Sequence, residues 1–281
     1  MDLCFKILDS EMNTKAVAKG TDEVRLVYTQ AYVPGDRIIL ETSEKDIYVW
    51  LQMDDALGRA LVYITGNVEY IIPFGEKRIN LSPKVFYGNR HFLYVRIARK
   101  YDIGVYRNLA LNVYDQHQIK DCYPHAEANV ETRGEMVFVA QNAIDGVVAN
   151  DSHGEWPYQS WGIDRRNDAR IRIDFGRMVE VDRIILYTRA DFPHDNWWKS
   201  VQFTFSDESE LEMKMEKSAL PHEITFPARR ICWLEMHHMI KSEEPSPFPA
   251  LTQIEVYGKE PKETEGLLNE MEGNDGTIMG K

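Results

Sequence analysis

Residues 189–200 read RADFPHDNWWKS. Around Pro193 they gather a guanidinium (Arg189), two carboxylates (Asp191 and Asp195), an imidazole (His194), an amide (Asn196) and the pair Trp197-Trp198. A second stretch, HGEWPYQSW at 153–161, supplies His153, Trp156, Tyr158, Gln159 and Trp161. Planar polar side chains of these types fix hydroxyl groups, each of which both donates and accepts. A flat aromatic face stacks on the apolar C–H face of a pyranose. Imidazole and carboxylate also suit several metal ions, so His153, Asp191, His194, Asp195, His237 and His238 form a candidate ligand set. Asp191 and Asp195 are a carboxylate pair of the kind that glycoside chemistry uses.

The elements that must position these groups belong to a chain of 281 residues with 43% hydrophobic content, enough for two ordinary domains or one large all-β unit. The formal net charge of −12 and the absence of a Lys/Arg-rich block argue against nucleic acid and against anionic membrane surfaces. Cys4, Cys122 and Cys232 are odd in number and widely spaced, so they read as free thiols rather than a disulfide framework or a zinc site. The first 20 residues carry Asp2, Asp9 and Glu11 and no long apolar run, unlike a signal peptide. No window approaches the ~20 apolar residues of a membrane span. The expectation is a soluble cytoplasmic protein, or an extracellular one if a leader has been removed.

Short alternating runs dominate. KDIYVWLQMD sets Ile47, Val49, Leu51 and Met53 against Tyr48, Trp50 and Gln52. RALVYITG, HFLYVRIA and LALNVYD continue the style, and VPGDRIILET is a turn followed by a strand. Beyond residue 160, RIRIDFG, VDRIILYTR, SVQFTFSD, RRICWLEMH and LTQIEVYG alternate in the same way, with turn signals between them. Period-two runs of this length predict half-buried strands in β-sandwiches. Helical periodicity is confined to parts of the first 20 residues and to LLNEME near the end. The predicted layout is an N-terminal β-sandwich (1–122), a second β-sandwich (123–258) joined through an ordered polar connector near 120–128, and an acidic, disordered tail (259–281).

NAIDG (142–146), WPYQSWG (156–162), ARIRIDFG (169–176), VDRIILYTR (181–189), KSVQFTFSD (199–207), RRICWLEM (229–236) and ALTQIEVYG (250–258) fall in an order that resembles a discoidin, or coagulation factor 5/8 type C, domain. The nearest likeness is to bacterial carbohydrate-binding modules of family 32, a galactose-binding-domain-like jelly roll. The resemblance covers about 128–258; the first 120 residues resemble no family and are expected to be a second jelly roll. It implies a ligand pole shared by loops at about 147–162, 189–199 and 237–249. It also implies that Arg189 and Asn196 are a sugar-binding pair, with Arg189 alternatively bracing the loop through Asp191 or Asp195. Gln159 stands where relatives carry a histidine, a role His153 fills from another position. Relatives hold a calcium ion near the DG turn. Asp145 matches the carboxylate ligand and Gln253 replaces the second with an amide, which implies a weak structural calcium site or none, with Asp145 then capping a turn.

Strand parity with Val201, Phe203 and Phe205 sends Trp197 inward and leaves Trp198 as the exposed platform. Trp156 is read as exposed, Trp161 and Trp233 as structural, and His237-His238 as a strand-end pair with one ring inward and one outward. Nucleophile elbows, phosphate loops, HExxH and zinc spacings are absent from the sequence. The expected function is non-catalytic binding of a mono- or oligosaccharide, needing no cofactor, through Trp156, Gln159, Arg189, Asp191, His194, Asn196, Trp198 and Phe248. The alternatives are a carbohydrate-active enzyme using the cleft between the domains, or a protein–protein adhesion or assembly module.

Overall fold

The computed structural model describes residues 1–151 and 153–261. Of the expected acidic tail (259–281), Lys259 ends a strand and Glu260 is buried rather than disordered, and the part beyond residue 261, with the helix at 267–272, lies outside the described residues. The structure is all-β, and every strand pairing in it is antiparallel.

The first half places two sheets around one core. One sheet runs in the order Thr14–Thr21, Asp2–Leu8, Arg37–Thr42, Val68–Ile71. The other runs Cys122–Tyr123, Ala60–Ile64, Ile47–Gln52, His91–Ile97, Glu23–Tyr28. Phe5, Ile7, Leu40, Val49, Leu51, Val62 and Leu93 fill the space between them. The first 20 residues are therefore strands, not helix. Ile47, Val49, Leu51 and Met53 all face the core. Tyr48, on the opposite face, is also buried, because it packs with Ala98 and Ile103 and meets Arg177 and Glu260 from the second half of the chain.

In the second half a sheet runs Trp161–Gly162, Ala250–Lys259, Ile171–Thr188, His222–Lys241, Trp198–Phe205, Glu210–Lys214. His125–Ala128 pairs with Ile171–Thr188, and Arg107–Asn108 pairs with Ala250–Lys259. The strand Ile171–Thr188 changes partner along its length. Its first part pairs with His125–Ala128 and its last part with Ala250–Lys259, and its register against His222–Lys241 breaks between Asp174 and Val179. Gly176 sits in that break with φ +67, and a Cβ there would fall 2.4 Å from the Tyr123 ring. Only glycine takes both the backbone conformation and the contact without strain. The core is built by Trp161, Ile171, Ile173, Phe175, Leu186, Phe203, Phe205 and Leu251.

LALNVYD (109–115) does not form the expected strand beyond Arg107–Asn108. It threads between the two cores, with Leu109 and Ala110 in one and Tyr114 in the other. Its polar members are satisfied locally: Asn112 Nδ2 donates to the Pro124 carbonyl (2.8 Å), and Asp115 accepts from the Ala126 amide (2.9 Å).

A buried ionic cluster joins the halves. Glu260 accepts from Arg107 (2.8 Å), Arg177 (2.7 Å) and the Tyr48 hydroxyl (2.7 Å). The Arg177 guanidinium also lies 4.9 Å from the Tyr48 ring centroid. Burial opposes the charged carboxylate, but Arg177, the Tyr48 hydroxyl and Arg107 together outweigh it and hold Glu260 below its usual range. Removing one partner of a buried pair leaves the other charge uncompensated. Glu260→Ala is therefore expected to cost about 3–5 kcal/mol in urea unfolding; a loss within ~0.5 kcal/mol would show that the cluster does not hold the halves together.

Candidate functional site

The site grows from the end of one strand. Arg189 directly follows Ile171–Thr188, and its amide donates to the Ala250 carbonyl (3.0 Å), which fixes it against the neighbouring strand. Its side chain is only 3% exposed. A guanidinium so enclosed needs a countercharge, and Asp195, 1% exposed, provides it, with Nη2–Oδ1 at 3.2 Å and Nε–Oδ2 at 3.3 Å. Asp195 Oδ2 also accepts the Asp191 amide (2.9 Å), and the Asp195 amide donates to the Asp191 carbonyl (3.0 Å). The loop is thus closed on itself around one ion pair.

Two histidines extend this base. Arg189 Nη2 lies 3.0 Å from His153 Nδ1, and His194 Nδ1 lies 3.3 Å from Asp195 Oδ1. The His153 and His194 rings lie 4.4 Å apart between centroids, and His194 stacks on Phe248 at 5.8 Å. Arg165 lies over the Phe248 ring at 5.1 Å, and Phe138 lies under Arg189 at 5.8 Å. These groups line a pocket of about 140 Å³ together with Thr132, Ile163 and the Pro247–Pro249 turn. It has room for one small ring, with a buried cation at its base and an aromatic wall.

The expected site residues divide sharply. Arg189, His194 and Phe248 come together in this pocket, and Asp191 stands beside it. Trp156 is exposed (38%) but outside the lining. Trp198, expected as the exposed platform, is fully buried in the core, and Trp197 is the half-buried one, its indole N–H on Glu244 Oε1 at 3.2 Å. The parity inverts because this strand carries one extra residue between Trp198, paired with Lys241, and Ser200, paired with Ile240, and Ser200 and Val201 are then both buried. A bulge of this kind reverses which face each preceding side chain takes. Asn196 is also fully buried and spent on the fold. Its Nδ2 donates to the carbonyls of Glu244 (3.0 Å) and Ser246 (2.5 Å), and its Oδ1 accepts from Ser242 Oγ (2.7 Å). It braces the loop at 242–248 and offers a ligand nothing. Gln159 is likewise buried and turned onto Asp145. His237 contacts Thr204 Oγ1 (2.7 Å) within the strand His222–Lys241, and neither His237 nor His238 lines the pocket.

Sequence reasoning missed Thr132, Phe138, Ile163 and Arg165. Gly162 carried the available signal: a Cβ there would fall 2.5 Å from Thr132 Oγ1, so the glycine lets the 132–138 segment close on the pocket. The following turn is tight, with Asp164 and Arg165 both at positive φ.

Two cation sites need testing against this geometry. One ligand atom each from His153, Asp191 and His194 can fall within 4.8 Å of one another. The Arg189 guanidinium, however, donates toward the His153 ring and places a full positive charge beside any ion held there, which favours hydroxyl or anionic ligands over a metal. At the DG turn, Asp145 Oδ1 accepts the Val147 amide (2.8 Å), Asp145 Oδ2 accepts Gln159 Nε2 (2.9 Å), and Gln253 Oε1 accepts the Gly146 amide (3.1 Å). A hard cation needs six to eight oxygen ligands, whereas N–H donors occupy these oxygens, so the set as arranged does not fit calcium. Asp145 acts as the turn cap.

Solved structures similar to the chain include chitosan-binding module 1 of a chitosanase/glucanase from Paenibacillus sp. IK-5 (21% identity, covering 54% of this chain and 98% of that one, TM-score 0.38). A Streptococcus pneumoniae fucose binding module gives 15% identity, 54% and 98% coverage and TM-score 0.40. The family 32 module of C. perfringens NanJ in complex with galactose gives 17%, 47%, 91% and 0.36. These neighbours are carbohydrate-binding modules. No protein-family model matches the chain, and no curated protein matches it. The structural likeness is remote, and the functional conclusion below is drawn from the pole itself.

Burial pushes the Asp145 carboxyl up to about 7, against the opposing pull of Gln159 and the Val147 amide. Between the usual carboxylate range and that value the folded state holds a proton that the unfolded chain has lost, so this group's contribution to stability falls as pH rises through the window. Asp145→Asn should therefore melt higher than wild type at pH 8 and match it near pH 4, and millimolar calcium should leave the wild-type melting temperature unchanged. A lower melting temperature for the variant at pH 8, or a calcium-induced rise in wild type, would contradict this assignment.

Proposed function

We propose that the chain is a non-catalytic glycan-binding protein and that a sugar ring enters the pocket at the Arg189 pole. The observation that carries this is the convergence of a buried, pre-oriented guanidinium with an aromatic wall in a pocket the size of one ring. Ligand sites of this type are largely apolar, with a few placed polar groups. Among the described residues no partner engages Arg189 Nη1, so it remains to donate to a ring or hydroxyl oxygen, while His153 and His194 offer nitrogens that donate or accept. Asp195 keeps the guanidinium fixed, so little ordering entropy remains to be lost on binding. Phe248 and the His194 ring supply the apolar wall, and Trp156 lies outside the lining, where a longer glycan would meet it.

The catalytic alternative has one observation behind it. Asp145, with its carboxyl pushed up to about 7, lines a cleft of about 380 Å³ between the two halves of the chain. Glycoside hydrolysis needs a second carboxyl group in register with the first. The other carboxylate of that lining, Asp115, is buried and taken by the Ala126 amide and by His125 Nδ1 at 2.6 Å. We therefore assign binding rather than turnover.

A glycan array with the intact chain should show binding, and His194→Ala and Phe248→Ala should each weaken it at least about tenfold with little change in melting temperature, since both side chains are substantially exposed. Arg189→Ala should abolish binding and also destabilise the fold by about 3–5 kcal/mol, because it leaves Asp195 buried without a countercharge. Silence across the array, or full binding by both exposed-residue variants, would refute the assignment. Release of nitrophenol from nitrophenyl glycosides would favour the catalytic alternative.

A further inference from the structure

We infer that the sugar bound at this pole carries a carboxylate, as a uronic acid does, and that Arg165 reads it; this rests on the glycan-binding assignment above. The pocket lining holds three arginines against two aspartates, in a chain whose formal net charge is −12. Asp195 is consumed by Arg189. Arg133 is consumed by Glu135, with Nε–Oε1 at 2.7 Å and Nη2–Oε2 at 2.9 Å. Arg165 is left: among the described residues no carboxylate lies within ion-pair distance of it. Its guanidinium is instead laid on the Phe248 ring, on the wall where a ligand enters.

Stacking on an aromatic face leaves the in-plane N–H groups of a guanidinium unspent, and their fork matches a carboxylate with two parallel hydrogen bonds. The histidines on that wall, His153 and His194, bring no negative charge to it. Asp164 precedes Arg165 and is exposed, which offsets the local field without occupying the fork. Asp191 brings a further carboxylate to the pole, within 4.8 Å of His153 and His194, but among the described residues it forms no ion pair with Arg165. Arg165 and Arg189 line the same pocket, so a carboxylate read by Arg165 and hydroxyls held near Arg189 can belong to the same sugar unit.

The test is calorimetric titration of the intact chain with methyl galactoside and methyl glucoside, each against its 6-carboxylate (uronate) counterpart. The uronate of at least one pair should bind about five- to tenfold tighter than its neutral partner. That ratio should fall toward one in 0.5 M NaCl and in Arg165→Gln. Equal affinity for neutral and acidic members, or a preference that survives Arg165→Gln, overturns the inference while leaving glycan binding intact. Tighter binding of the 6-sulfate than of the uronate overturns the choice of carboxylate. Silence toward all of these sugars, with a silent glycan array, removes the glycan-binding assignment and this inference together.

Discussion

The ion pair between Arg189 and Asp195 is the interaction on which the ligand pole depends. An isolated buried charge is strongly unfavourable, and a buried pair persists only when geometry and added hydrogen bonds compensate for lost solvation. Here the compensation does positional work. The carboxylate that neutralises Arg189 also takes the Asp191 amide and approaches His194, while the guanidinium reaches His153 from another loop. Distant segments are thereby locked in one geometry before any ligand arrives. The arginine presents a fixed donor rather than a flexible one, and such preorganisation is what allows a small pocket to bind with useful affinity.

That rigidity is anchored below the pole. Arg189 extends a strand whose two ends pair with different partners, and its own amide is tied to Ala250. The strand Ala250–Lys259 leads from the pocket's Pro247–Pro249 turn down to Glu260, where the ionic cluster with Arg107, Arg177 and Tyr48 joins the two halves. One strand thus links the ligand pole with the junction. Tyr48 enters this junction from the first half and also packs with Ala98 and Ile103, which accounts for its burial on a face that simple alternation assigns to solvent.

Strand identity was legible wherever one face of a strand meets the core, because a period of two is hard to produce otherwise. Ile171, Ile173 and Phe175 are all fully buried, as their alternation requires. The pole was legible in kind, since Arg189, His194 and Phe248 converge from separate loops. Legibility failed for definite reasons. A bulge carries no composition signal, so parity sent the wrong tryptophan to the surface. Asn196 has the chemistry of a sugar ligand, but the turn at 242–248 and the Trp197 amide claim its side-chain hydrogen bonds, which is visible only once the loops are placed together. Arg165 comes from a turn whose backbone conformation, rather than its residue types, aims it at the pocket. Leu109–Asp115 alternates like a strand but is buried on both sides by two cores, and sequence periodicity does not separate these cases.

The central claim is that a sugar engages the preorganised Arg189 base. The most direct measurement is side-chain NMR of the intact, isotope-labelled chain during titration with the tightest-binding sugar from the array, following the Arg189 Nε–H and the ring signals of His153 and His194. The account predicts saturable shifts at all three, with the signals of residues lining the cleft between the halves, such as Asn80 and Gln116, unmoved. Shifts confined to the cleft, with Arg189 and both histidines silent, would contradict it.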